Sequence, residues 1–140
     1  MPAKGSAHWD GTLKEGSGTF RAGESLSGGY TFRSRFEDGP GSNPEQLIAA
    51  AHAACFSMAL SALLTKAEHP PISIDTEANV FLRLIDGANT IANIELATSG
   101  QVPGVSSDEF QAYAEQAGST CIVSRALSGV DISVTATLTS

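Results

Sequence analysis

Two cysteines in 140 residues are too few to staple a fold, so a disulfide scaffold is excluded. Basic residues are scarce too. Eight Lys and Arg stand against fifteen Asp and Glu, a net charge of −7. Nucleic acid and anionic membrane surfaces both attract basic patches, so neither is an expected partner. There is no run of like charges and no internal repeat. The opening residues, Met1-Pro2-Ala3-Lys4-Gly5-Ser6, lack the apolar segment of a signal peptide. A cytoplasmic chain with reduced thiols is the expectation. No glycine-rich phosphate loop of Walker or Rossmann form occurs. His, Cys and carboxylates do not recur at metal-ligand spacing, so no metal site is expected.

What is present suits one globular domain spanning 1–140, with 41% hydrophobic and only 16% charged residues. Residues 7–11 and 13–20 read as a hairpin punctuated by glycine. Residues 30–36 alternate and read as a strand, with Tyr30, Phe32 and Phe36 on one face and Arg33 and Arg35 on the other. Asn43-Pro44-Glu45-Gln46 opens a long helix: an N-cap, a proline at the first helical position, an acid on the positive dipole end and a capping-box partner. Residues 46–65 carry no charge and approach the length of a membrane span. They are rich in alanine, only weakly apolar for insertion, which favours a buried helix of a soluble protein. A helix apolar on nearly every face must be buried on nearly every face, which points to a homodimer. Three alternating segments follow, at 73–84, 90–98 and 130–139. Between the last two, Ser106-Ser107-Asp108-Glu109 is a capping box. A short helix near 121–127 ends at Gly129. The pattern predicts an α+β fold.

Cys55 lies inside the long helix, where a thiol is ordinarily an inert small hydrophobe. To react it needs a cation beside its thiolate. Its helix supplies only His52, so Arg33 and Arg35 are the outside candidates. Glu45 can orient an arginine through a bidentate pair or simply serve the helix dipole. His52, three residues before Cys55, faces the same side of the helix. It reads either as a buried histidine bonded to backbone or as the base of a Cys–His nucleophile. No oxyanion-hole or orienting-acid motif accompanies the second reading. Cys121 lies near a helix start, where the dipole favours a thiolate, or is a partly buried structural cysteine. His8, Trp9 and His69 read as packing or surface residues.

The run Asn43-Pro44-Glu45-Gln46-Leu47-Ile48-Ala49-Ala50-Ala51-His52-Ala53-Ala54-Cys55-Phe56-Ser57-Met58-Ala59-Leu60 resembles the central-helix signature of the OsmC/Ohr family. Ala7-His8-Trp9, Arg35-Phe36-Glu37, Ser73-Ile74-Asp75-Thr76, Val102-Pro103-Gly104 and Cys121 with Val123-Ser124 are similar to its OsmC branch. The resemblance implies an OsmC-like fold, with antiparallel sheets wrapped around long central helices in an interwoven homodimer whose sites lie at the subunit interface. It implies a thiol-dependent peroxidase acting on organic hydroperoxides. Cys55 would be the peroxidatic cysteine, Cys121 the resolving cysteine, Arg35 the activating arginine and Glu45 its carboxylate partner. The reductant would be an external thiol or dithiol, of lipoyl type, with no cofactor. One departure is Ile122, where the family usually has proline after the second cysteine. Two other readings stay open: a dimeric module that binds a small apolar ligand without turnover, and a thiol hydrolase using Cys55 and His52.

Overall fold

The computed structural model describes residues 1–139. It divides into two compact units, Met1–Leu47 and Ile48–Ser140. The element order is β1 (Gly5–Asp10), β2 (Ser17–Ala22), β3 (Leu26–Tyr30), α1 (Phe32–Phe36), α2 (Pro44–Lys66), β4 (Ser73–Ile85), β5 (Ala88–Gln101), α3 (Ser107–Thr120), α4 (Ile122–Ala126) and β6 (Asp131–Leu138). This is the expected α+β class, with two three-stranded sheets. One helix, α2, begins in the first unit and continues unbroken into the second.

In the first unit β1, β2 and β3 form an antiparallel sheet in that order. Phe20 is its buried centre. The Tyr30 ring stands 5.3 Å from that of Trp9 and 6.3 Å from that of Phe20. Gly28 lies under Phe20, where a Cβ would come within 2.8 Å of the ring. The expected strand at 30–36 is not formed. The strand stops at Tyr30 and residues 32–36 are helical. Thr31 and Ser34 decide this, because each side chain bonds the other's backbone N–H, at 3.1 and 2.8 Å. That capping box satisfies two donors that a strand edge would leave to water. The Ser34 hydroxyl also donates to the Ser42 carbonyl at 2.7 Å, and the Asn43 amide donates to the Ser34 carbonyl at 2.8 Å. Asn43 Oδ1 accepts from the Gln46 N–H at 2.8 Å, the expected cap of α2.

In the second unit β4 and β5 form a long antiparallel hairpin. Its turn is Asp86-Gly87, at φ 50° and 79°, the pair that a two-residue type I′ turn demands. β6 joins β5 in parallel, so this sheet is mixed rather than wholly antiparallel. A parallel neighbour needs a crossover, and α3 and α4 provide it. The core gathers Phe56, Leu60 and Leu64 of α2, Ile94 and Leu96 of β5, Val102, and Phe110, Ala114 and Ala117 of α3. Gly118 lets α3 sit close, since a Cβ there would meet Val134 at 2.5 Å. β6 is an edge strand, and the Gln111 side chain bonds both Val134 O and Ala136 N along that edge. The Ser57 hydroxyl of α2 donates to Thr76 of β4 at 2.8 Å, and Thr76 meets Thr98 of β5 at 3.0 Å.

The single chain covers α2 on one face and leaves the other open. His52, Phe56, Leu60 and Leu64, four residues apart, are buried. Ala50, Ala51, Ala54, Met58 and Ala62 are exposed, with Met58 at 75%. Phe56, Leu60 and Leu64 fill the core from one face of α2, and the opposite face, mostly alanine with Met58, is left uncovered by this chain.

Candidate functional site

The sequence-derived residues fall into two groups, one in each unit. In the first, Arg35 of α1 grips Glu45 at the second position of α2. Arg35 Nη2 donates to Glu45 Oε1 at 2.8 Å, and Arg35 Nε donates to Oε1 and Oε2 at 3.1 and 3.3 Å. Glu45 is buried, whereas 39% of the Arg35 side chain is exposed. The carboxylate thus fixes the guanidinium and leaves part of its edge free. Arg33 behaves differently. Helical α1 puts residues two apart on different faces, so the shared strand face expected for Arg33 and Arg35 is replaced by divergence. Arg33 pairs with Glu37, at 3.7 Å on the exposed surface.

Arg35 also borders an aromatic cavity of about 440 Å³, lined by Trp9, Leu13, Tyr30, Phe32 and Phe36 among others. Its guanidinium lies 5.2 Å from the centre of the Phe36 ring. An apolar hollow with one cation at its wall fits a small molecule with an apolar body and a polar reacting end.

The second group holds both thiols, and both are free. Cys55 is partly exposed in mid-α2. Cys121 is buried and stands where α3 ends and α4 begins, serving as C-cap of one and N-cap of the other. Its Sγ accepts the Ser124 N–H at 3.3 Å and lies 3.0 Å from the Ser124 hydroxyl. That hydroxyl is 2.7 Å from His52 Nε2. His52 is fully buried, and among the described residues its Nδ1 has no hydrogen-bond partner. Burial lowers its pKa below the ordinary 6.5, so the ring is neutral at pH 7.

Three outcomes follow for the sequence readings. Arg35 meets Glu45, and Cys121 is tied to the helix that carries Cys55. His52 is bonded to a side chain instead of backbone, and among the described residues neither of its ring nitrogens is hydrogen-bonded to Cys55. Ser124 is a residue that sequence reasoning passed over. The available signal was a serine three residues after a cysteine at a helix start, the spacing at which caps bond back. Ile122 is the first residue of α4 and 77% exposed. That is a position where proline also fits, because no helical N–H is needed.

The model of the family described as OsmC-like protein matches residues 37–135. The chain belongs to the OsmC-like family. Peroxiredoxin OsmC of Escherichia coli (strain K12) is 45% identical over 126 residues, covering 89% of this chain and 88% of that protein. Organic hydroperoxide resistance protein OhrA of Bacillus subtilis (strain 168) is 38% identical over 93 residues, covering 66% and 64%. Among solved structures, an OsmC-like protein from Mycoplasma pneumoniae superposes with a TM-score of 0.76 at 17% identity, covering 100% of this chain and 99% of that one. Organic hydroperoxide resistance protein OhrB of Bacillus subtilis gives 0.72 at 24% identity, covering 97% and 98%. Both structures bear out the OsmC-like fold. The matched family span holds Glu45, Cys55, His52, Cys121 and Ser124; Arg35 lies just before it.

Proposed function

We propose that this OsmC-like chain is a cytoplasmic, thiol-dependent peroxidase that reduces organic hydroperoxides to alcohols in defence against oxidative or osmotic stress. One observation carries the reading: two free thiols flank a single buried bridge. Cys55 lies one helical turn from His52, and His52 is joined through Ser124 to Cys121. The names of its relatives, a peroxiredoxin and organic hydroperoxide resistance proteins, agree.

Cys55, the more exposed thiol, attacks first. Its thiolate forms an S–O bond to the distal peroxide oxygen, the O–O bond breaks, and the alkoxide leaves as alcohol on taking a proton. Cys55 is left as sulfenic acid. Cys121 condenses with it to give a disulfide and water, before further oxidation. An external thiol or dithiol, of lipoyl type, restores both thiols by exchange. Arg35, held by Glu45, is the cation that favours the Cys55 thiolate, and the aromatic cavity beside it takes the alkyl group.

The working form is a homodimer of one OsmC-like domain, 1–140. Glu45 and Cys55 are ten residues apart on one unbroken helix, or about 15 Å along its axis at roughly 1.5 Å per residue. An arginine bonded to Glu45 does not span that distance, so Arg35 is assigned to Cys55 of the partner subunit. The exposed alanine face of α2 supports close helix packing between subunits.

The test is consumption of tert-butyl or cumene hydroperoxide with a dithiol. Dithiol-dependent turnover that vanishes in Cys55→Ser is expected; unchanged turnover in that variant defeats the proposal. Mixing Cys55→Ser with Glu45→Ala chains under subunit exchange should restore one composite site per heterodimer. No recovery after confirmed exchange would place both residues in one chain's site.

A further inference from the structure

Three buried side chains are joined in a line that the first chemical step does not use: His52 Nε2, Ser124 Oγ at 2.7 Å, and Cys121 Sγ at 3.0 Å beyond it. Their exposures are 0%, 6% and 2%, so water does not compete for these bonds. A serine hydroxyl has a single proton, and its direction depends on the histidine tautomer. The unpartnered Nδ1 resolves this. A proton on Nδ1 would be a buried donor without an acceptor. A proton on Nε2 leaves only a lone pair unmatched, the smaller penalty. Nε2–H therefore donates to Ser124 Oγ, and the Ser124 proton is free to point at the sulfur. With the Ser124 backbone N–H at 3.3 Å, two donors then converge on Cys121 Sγ. Two donors converging on the sulfur are placed to steady negative charge on it as the disulfide closes.

We propose that His52 and Ser124 form a donor relay that readies Cys121 as the thiolate for disulfide closure. Ser124 contacts the sulfur; His52 is a positioning residue acting through it. The inference rests on the peroxidase reading and names what governs its second step. In that step Cys121 loses its proton and its sulfur bonds to the sulfur of the Cys55 sulfenic acid. The Cys55 S–O bond breaks, and the departing hydroxide takes up the proton as water. The sulfenic sulfur is reduced and the thiol sulfur oxidised, so no further oxidant is consumed. The low reach of solvent to Cys121 gives the relay its purpose, since water cannot steady a thiolate there.

The experiment separates the two steps by stopped-flow oxidation of fully reduced protein with one equivalent of cumene hydroperoxide. Sulfenic acid is trapped with dimedone, and disulfide is followed by mass spectrometry. Ser124→Ala and His52→Leu should oxidise Cys55 at the wild-type rate and close the disulfide at least about tenfold more slowly, the loss expected for a hydrogen bond to a charged atom. Cys55 sulfinic acid should then accumulate under excess peroxide. His52→Gln retains a neutral N–H donor and should recover most of the closure rate, which a merely structural role would not require. It is also the arm that holds if His52→Leu does not fold. Closure at the wild-type rate in Ser124→Ala, or His52→Gln as slow as Ser124→Ala, overturns the relay alone. Wild-type protein that forms no Cys55–Cys121 disulfide overturns the peroxidase reading and the relay with it.

Discussion

The two thiols occupy opposite kinds of backbone. Cys55 sits in mid-helix, where every backbone N–H is already bonded along α2. No main-chain donor is left to face its sulfur, and the proposed peroxidase reading assigns that part to Arg35. Cys121 sits at a junction of two helices. There the first N–H groups of α4 are free, and one of them, from Ser124, bonds the sulfur directly. One cysteine is partly open to solvent and lacks local support; the other is buried and supplied with its own donors. Residue type alone therefore says little about a thiol. The position on the helix decides who must stabilise it.

The sharpest test of that contrast removes one thiol at a time. In Cys121→Ser, one equivalent of cumene hydroperoxide should convert Cys55 to a dimedone-reactive species. In Cys55→Ser, Cys121 should stay unmodified, with turnover down by at least about a thousandfold, as for loss of any nucleophile. Mass spectrometry of the two variants reads this directly. Oxidation of Cys121 in the absence of Cys55 would invert the assignment.

A smaller effect should separate the two arginines. If Cys55 borrows its cation, Arg35→Met should slow its alkylation by iodoacetamide at pH 7 about ten- to a hundredfold. Arg33→Met, which breaks only an exposed pair with Glu37, should leave the rate unchanged. Cys121, with local donors, should be indifferent to both. Equal losses in the two variants would mean general loss of positive charge, not a dedicated partner.

The smallest effect concerns stability. Burial lowers the His52 pKa below its ordinary 6.5, so the unfolded chain binds the proton more readily than the folded one. Neutral His52 contributes its full stability above about pH 6.5. That contribution is lost as pH falls from there through the lowered folded value. Urea unfolding midpoints between pH 7.5 and pH 5 should decline in the wild type and decline less in His52→Gln. Parallel slopes would place the acid sensitivity elsewhere.

Much of this was legible before the fold was known. β4, β5 and β6 announced themselves by strict alternation, and α3 by the Ser106–Glu109 capping box, formed at 3.1 and 3.0 Å. Asn43 and Pro44 marked the start of α2 as the structure has it. Cys55, Cys121, Arg35 and Glu45 stand out by residue type and position, the resemblance supplies their roles and the choice of Arg35 over Arg33, and the Arg35–Glu45 pair is formed. Residues 30–36 misled because their aromatic alternation suits a strand, while the Thr31–Ser34 box and the Ser34–Ser42 bond favour a helical turn. The parallel entry of β6 was hidden, since alternation tells which face is buried and not which strand is the neighbour.

Local physics, then, was determined by the sequence itself: periodicity, caps and turn residues act over a few positions and need no partner to be read. Tertiary structure alone decided which face of α2 is covered and that His52 meets Ser124. The reason is the same in each case. These outcomes depend on what side chains distant in sequence leave unfilled or unbonded, and a buried polar atom takes whichever partner packing delivers within hydrogen-bond reach.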